Sequence, residues 1–232
     1  MNKNSNTYTY LYATIMVVLV AVGLAFTNGL LKEKQAKNVE LDKMMQILRS
    51  VKVEATAETA EDNYTTTIKT AYLLNSQGEV TEKDARTAFM VDMAKEVLKP
   101  LEERKLPVYE ASIAGQLKYI LPVYGAGLWG PIWGYVSLND DKQTIFAASF
   151  SHQGETPGLG AEIDTKPFQL QFEGKSLFRE SAFVSIAVLK AGQKEDSRDQ
   201  VDAISGGTIT SKGLEAMLQD CLSAYEPFLI KQ

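Results

Sequence analysis

From Tyr10 to Leu31 the chain carries no formally charged side chain, and between Leu11 and Phe26 only Thr14 and Gly23 interrupt a run of apolar residues. Roughly 20 residues at about 1.5 Å rise cover a hydrocarbon core near 30 Å, so this stretch is long enough to cross a bilayer as one helix. Tyr8, Tyr10 and Tyr12 fall where an interfacial aromatic belt lies. The competing reading is a cleaved signal peptide, with Gly23 and Ala25 as the small residues of a cleavage site. The apolar run exceeds the roughly 7–15 residues of a signal-peptide core and only Lys3 precedes it, so an uncleaved anchor is expected. Lys32, Lys34 and Lys37 outnumber Lys3, which taken alone puts the large C-terminal part in the cytoplasm.

The rest of the 232-residue chain is long enough to bury a core of its own in one or two domains. A net charge of −5 with no basic run or basic aromatic patch excludes the usual footprint of a nucleic-acid binder. One cysteine excludes a disulfide framework, and any triad or histidine metal site would have to pass through His152 alone. Beyond the anchor, Val39, Leu41, Met44, Met45, Leu48 and Val51 read as an amphipathic stalk helix. Val53 to Asn63 reads as a loop, Tyr64 to Leu74 as a strand, and Asn75 to Gly78 as a turn. Thr81 is then expected to cap one helix whose apolar residues Ala85, Phe89, Met93 and Val97 recur every fourth position until Pro100. After Leu106 come short strands separated by glycines: 107–111, 117–124, 132–138, 144–150 and 182–189. The order follows no strict βαβ alternation, which predicts an α+β fold, a mixed or antiparallel sheet with packed helices, preceded by one N-terminal transmembrane helix.

Three stretches carry candidate chemistry. In Asp202–Ser211 two adjacent glycines, Gly206 and Gly207, permit a sharp turn, and the hydroxyls of Ser205, Thr208, Thr210 and Ser211 cluster around it. Leu214, Met217, Leu218, Cys221, Leu222 and Tyr225 then mark an amphipathic helix from Lys212. A glycine-rich turn opening a helix suits a phosphate, because the first helical N–H groups are unpaired; it is equally an ordinary cap. In Tyr124–Tyr135 a glycine-rich bend carries two tryptophans and two tyrosines, each of which taken singly reads more readily as core; Trp129, bracketed by turn residues, is the better candidate among them to wall a flat ligand. In 152–160 the run Glu155-Thr156-Pro157-Gly158-Leu159-Gly160 makes a shaped loop directly after a strand, suited to cradling a ligand. Cys221 on the apolar helix face reads as a buried structural thiol, His152 as a residue orienting its loop, and Lys194–Asp199 as a solvated loop.

A strand followed by Glu155-Thr156-Pro157-Gly158-Leu159-Gly160, and some forty residues later by Asp202-x-x-Ser205-Gly206-Gly207-Thr208-x-Thr210-Ser211, resembles the FMN-binding-domain family of respiratory flavoproteins. The Gly127-Leu128-Trp129-Gly130 bend and the N-terminal anchor make it most similar to the C subunits of Na⁺-translocating NADH:quinone oxidoreductases. The resemblance covers the anchor and Leu106 to Phe228. It implies covalent FMN, held as a phosphoester on the last threonine of an Asp-x-x-Ser-Gly-Ala-Thr pattern, which falls on Thr208, with Thr210 the competing acceptor. Gly207 stands where the pattern has alanine. It further implies flavin contacts from Ser205, Gly206, Gly207, Ile209, Thr210, Glu155, Thr156, Gly158, Leu159 and Trp129, with no catalytic side chain and no protein-held metal.

The implied organisation is a cytoplasmic tail at 1–9, an anchor at 10–31, a stalk and scaffold at 32–105, and the FMN-binding domain at 106–232. The family's flavin transferase uses FAD and a divalent metal outside the cytoplasm, so the resemblance places the domain on the periplasmic side of a bacterial inner membrane, against the lysine count. It implies electron transfer from an iron–sulfur centre of neighbouring membrane proteins to a second covalent FMN, on the complex's B subunit. The B, D and E subunits are the implied partners, in a translocase coupled to Na⁺ export. The G subunit of ferredoxin-oxidising Rnf complexes, which shares the same motifs, and a membrane-anchored binding or assembly module without redox function are the alternatives.

Overall fold

The computed structural model describes residues 5–231, so Lys3 and the first residues of the expected tail lie outside the described residues. The chain divides into two compact units, Met1–Lys43 and Met44–Gln232. Helix α1 (Asn6–Arg49) contains an 18-residue window of mean hydropathy 2.2, none of it buried by protein. A helix apolar on all sides and uncovered by protein is what a single-pass membrane anchor requires.

The second unit is built on a six-stranded sheet of order β2-β1-β3-β4-β5-β6, antiparallel throughout. Its strands are β1 (Ile68–Leu74), β2 (Val80–Glu82), β3 (Leu106–Ile113), β4 (Gln116–Ala126), β5 (Pro131–Leu138) and β6 (Ile145–His152). Because side chains alternate between faces, β1 and β3 to β6 each serve two cores, while β2 is exposed throughout. Leu121, Val123, Val136 and Phe150 point to one face, where they meet Phe168 of the short helix α5 (Lys166–Leu170), Phe172 just after it, and the apolar stripe of α6 (Thr208–Ser223), namely Leu214, Met217, Leu218 and Cys221. Ala71, Leu73, Tyr109, Ile120 and Tyr135 point to the other, against Ile47, Val51 and Phe89. Each fully buried Leu or Phe here contributes about 1.5–3 kcal/mol relative to exposure. The α+β architecture with an antiparallel sheet is therefore as expected, and β1 pairs with β3 so that residues on both sides of Leu106 share one sheet.

Several local expectations are corrected. The stretch read as a strand from Tyr64 begins as helix α2 (Ala60–Thr67), and β1 starts only at Ile68. Thr81 lies in β2 and caps nothing. The helix expected after it is two short ones, α3 (Ala85–Met90) and α4 (Met93–Glu96). Asp84 caps the first by accepting from the Arg86 and Thr87 N–H groups, and Asp92 caps the second through the Ala94 N–H. A second capping carboxylate inside the every-fourth-residue pattern ends one helix and starts another. The 182–189 strand is split. Ala182–Phe183 pairs with Phe178–Arg179, while Ala187–Leu189 pairs in parallel with Gln200–Asp202. Ser185, at φ 59°, breaks the run between them.

Candidate functional site

The parallel pair that aligns Val201 with Val188 delivers the chain to the sheet's end, and Ala203 N–H closes onto Leu189 O at 2.6 Å. The turn that follows is tight. Gly207 N–H donates to Ile204 O, and Gly206 adopts φ +76°, where a Cβ would come within 2.6 Å of the Leu159 side chain. Helix α6 begins at Thr208, four residues before the expected Lys212, with Gly207 as its N-cap. Ser211 Oγ accepts the Ile204 N–H at 3.1 Å, and the first intrahelical bond runs from Ser211 N–H to Gly207 O. A glycine cap has no side chain to offer, so among the described residues the N–H groups of Thr208, Ile209 and Thr210 find no acceptor. These donors at the positive end of a 16-residue helix suit an anion.

The loop after β6 is fixed from inside. His152 Nδ1 accepts the Glu155 N–H at 3.1 Å, in keeping with the orienting role expected of it. Glu155, only 5% exposed, accepts from the Trp129 N–H at 2.8 Å through one oxygen and from the Thr210 hydroxyl at 2.6 Å through the other. Gly127 and Gly160 make room for it, since a Cβ on either would collide with a carboxylate oxygen. One buried carboxylate thus joins the bend, the loop and the helix. Both of its oxygens are thereby engaged by donors of the protein itself.

A cavity of about 220 Å³ opens between these segments, lined by Leu128, Trp129, Glu155, Thr156, Leu159, Gly160 and Gly206–Thr210. Of the ten large exposed apolar side chains in 44–231, four line it: Leu128, Trp129, Leu159 and Ile209. Clustered apolar exposure of this kind marks a binding surface rather than chance. A second cavity of about 600 Å³ lies beyond Gly206 and Thr208, with Ser205, Ser211, Lys190 and Lys212 in its wall. Thr208 is exposed and borders both cavities, whereas Thr210 is 1% exposed.

Of the residues singled out in the sequence, Trp129, Glu155, Thr156, Leu159, Gly206, Gly207, Thr208, Ile209 and Thr210 converge on the smaller cavity. Ser205 lies in the wall of the second, and Gly158, at φ +75°, shapes the loop's outer turn and donates its N–H to Glu162. Leu128 and Lys190 were not singled out. The bend motif contains Leu128, but nothing near Lys190 marks it. Trp133 is set apart from Trp129 by donating its indole N–H to Gln46 at 2.8 Å. Cys221 is buried as expected, and burial raises its thiol pKa although the Tyr124 N–H, 3.4 Å from its sulfur, opposes the shift. The expected solvated loop is partly tied down, as Arg198 pairs with both Glu195 and Glu215.

Exposed apolar walls beside a helix N-terminus with no side-chain cap, and a glycine turn that lets a ligand approach, fit a phosphate-bearing aromatic cofactor. The FMN-binding domain family matches residues 127–223, which contain all of these segments. The chain is 31% identical to the C subunit of the Na(+)-translocating NADH-quinone reductase of Vibrio campbellii, covering 87% of this chain and 85% of that one. It is 32% identical to the corresponding protein of Pasteurella multocida, over 99% and 95% of the two chains. Among solved structures, the reductase's C subunit from Parabacteroides distasonis superposes with a TM-score of 0.81 at 48% identity, covering 87% of this chain and 98% of that one. Shewanella oneidensis NqrC superposes at 0.66 with 25% identity, over 83% and 94%. The chain belongs to the family of C subunits of Na⁺-translocating NADH-quinone reductases, an oxidoreductase complex.

Proposed function

We propose that this chain carries FMN as a phosphoester on Thr208 and serves as an electron carrier within a Na⁺-translocating NADH-quinone reductase. The observation that carries this reading is a contrast inside one helical turn: Thr208 is exposed and borders two cavities, while the Thr210 hydroxyl is buried on Glu155. Attachment makes a bond from the Thr208 hydroxyl oxygen to the flavin-side phosphorus of FAD. The pyrophosphate P–O bond breaks, AMP leaves with the electron pair, and the hydroxyl proton passes to a base of the flavin transferase. The N–H groups of Thr208, Ile209 and Thr210 then face the remaining negative charge, a helix-terminus interaction of about 0.3–1 kcal/mol. Ser205, Gly206 and Gly207 shape the approach. Leu159, Ile209 and Trp129 offer apolar surface to the ring, Thr156 a hydrogen bond to its polar edge, and Gly158 the loop turn that presents them. When bound, the flavin supplies one-electron redox chemistry, and the side chains hold and shield it.

The domain is read as periplasmic, on an inner-membrane anchor, with the B, D and E subunits as neighbours and Na⁺ export a property of the whole complex. Co-expression with a flavin transferase tests the attachment. A denatured gel band fluoresces for the wild type and is dark for Thr208→Ala; a dark wild type beside a demonstrably active transferase refutes it. A C-terminal reporter enzyme active only in the periplasm tests the orientation, and an expressed but inactive fusion overturns it.

A further inference from the structure

Thr208 and Thr210 offer two hydroxyls within one helical turn, and a transferase reading this turn meets both. We propose that Glu155 is the positioning residue that decides between them: it holds the Thr210 hydroxyl inside the protein and thereby turns Thr208 outward. The inference rests on Thr208 being the flavin acceptor.

Residues two apart on an α-helix lie about 200° apart around its axis, so fixing one in the interior directs the other to solvent. Thr210 is fixed by its 2.6 Å bond to Glu155 Oε2 and is 1% exposed. Glu155 is itself held on three sides, by the Trp129 N–H on Oε1, by Thr210 on Oε2, and by its own N–H on His152 Nδ1. At 5% exposure with both oxygens engaged, its carboxylate acts through Thr210 rather than on a ligand. Gly207 has no side chain to orient the first turn, and the other side-chain bond there, from the Ile204 N–H to Ser211 Oγ, does not touch the Thr210 hydroxyl.

The test uses the full-length chain, purified without flavin in detergent, incubated with flavin transferase and FAD. Attachment rate is read by flavin fluorescence, and attachment site by fragment masses of the peptide containing both threonines. Thr210→Val keeps the shape and removes the donor; it is labelled at Thr208 at least about tenfold more slowly than wild type, the scale of one hydrogen bond to a charged group. Thr210→Ser, which keeps the hydroxyl, recovers most of the rate. Glu155→Ala frees Thr210 and gives flavin on Thr210 as well, a change of site that general loosening of the fold does not produce. Where Glu155→Ala does not fold, the Val and Ser pair decides. Wild-type labelling in Thr210→Val, or a folded Glu155→Ala labelled only at Thr208 at the wild-type rate, overturns the role of Glu155 alone. A wild type that takes no flavin from an active transferase overturns the Thr208 reading and this inference with it.

Discussion

Gly213 sits in the middle of α6, where glycine costs about 1 kcal/mol against alanine in helix propensity. On local grounds Gly213→Ala stabilises. Packing reverses the sign. A Cβ at this position would overlap the Ala126 carbonyl oxygen, and would lie 3.2 Å from the carbon of that carbonyl and 3.5 Å from the Gly127 Cα. All three are backbone atoms at the end of β4, whose Ala126 is paired with Pro131 of β5, so they cannot swing aside as a side chain would. The helix must retreat by roughly an ångström. Overpacking of this kind costs about 1–3 kcal/mol. The retreat also stretches the Thr210–Glu155 bond from 2.6 Å, and a hydrogen bond to a charged group contributes about 1.5–3 kcal/mol. The two losses overlap, and set against the propensity gain they leave a net destabilisation of about 2 kcal/mol, or roughly 4–8 °C in Tm for a unit of this size. Thermal unfolding of the full-length chain in detergent, followed by circular dichroism, measures it. Gly154→Ala is the control, since its Cβ meets nothing within 4 Å. A Tm for Gly213→Ala equal to or above the wild type refutes the argument.

Two further predictions follow from the ionisable groups. Cys221 is 3% exposed with a thiol pKa raised by burial, so native protein at pH 8 resists iodoacetamide and reacts only once unfolded; native labelling at the unfolded rate contradicts this. For Asp141 burial acts to raise the pKa, but bonds from the Thr144 hydroxyl at 2.6 Å and from the Thr144 and Gln143 N–H groups at 2.9 Å outweigh it and hold the pKa below the ordinary aspartate value. A depressed folded-state pKa gives stability that is present above the unfolded value near about 3.9 and is lost as pH falls through the folded one. The Tm advantage of wild type over Asp141→Asn is therefore constant above about pH 5 and shrinks below about pH 4. An advantage independent of pH down to pH 3 excludes this account.

What could be read from the sequence divides along physical lines. Strands β3 to β6 were legible because each is a short apolar run rich in β-branched and aromatic residues, punctuated by turn residues, a pattern local in sequence. The start of α6 was not. Thr208, Ile209 and Thr210 are β-branched, poor helix formers that read as turn, and what draws them into the helix is the Thr210 bond to a residue 55 positions away. Each piece of the site was visible as a motif, but the inward turn of Glu155 was not, because it depends on Gly127 and Gly160 being brought together by the fold. The break at Asp92 was missed for a simpler reason: apolar spacing of four continues straight across it, and only the carboxylate shows that a new helix starts.

The size of the cavity bears on why the cofactor would be tethered at all. Sites that hold a ligand by equilibrium binding enclose about 300–1,000 Å³ and cover most of its surface. Here the apolar side of Thr208 offers about 220 Å³ whose walls remain open, with Trp129 68% and Ile209 58% exposed, and the cavity of about 600 Å³ on its other side is walled by Lys190, Ser205 and Lys212. On its apolar side such a surface gives a flat ring one open face of contact rather than an enclosure, beside three N–H donors. The proposed phosphoester on Thr208 would remove the need for enclosure, because loss of the flavin would then need a bond to break. Enclosure is no longer needed for retention, and the ring can stay uncovered on the side from which an electron partner approaches. Under the proposed linkage the demand for precision falls on the orientation of one hydroxyl, and the buried pair of Glu155 and Thr210 is where the proposed positioning acts.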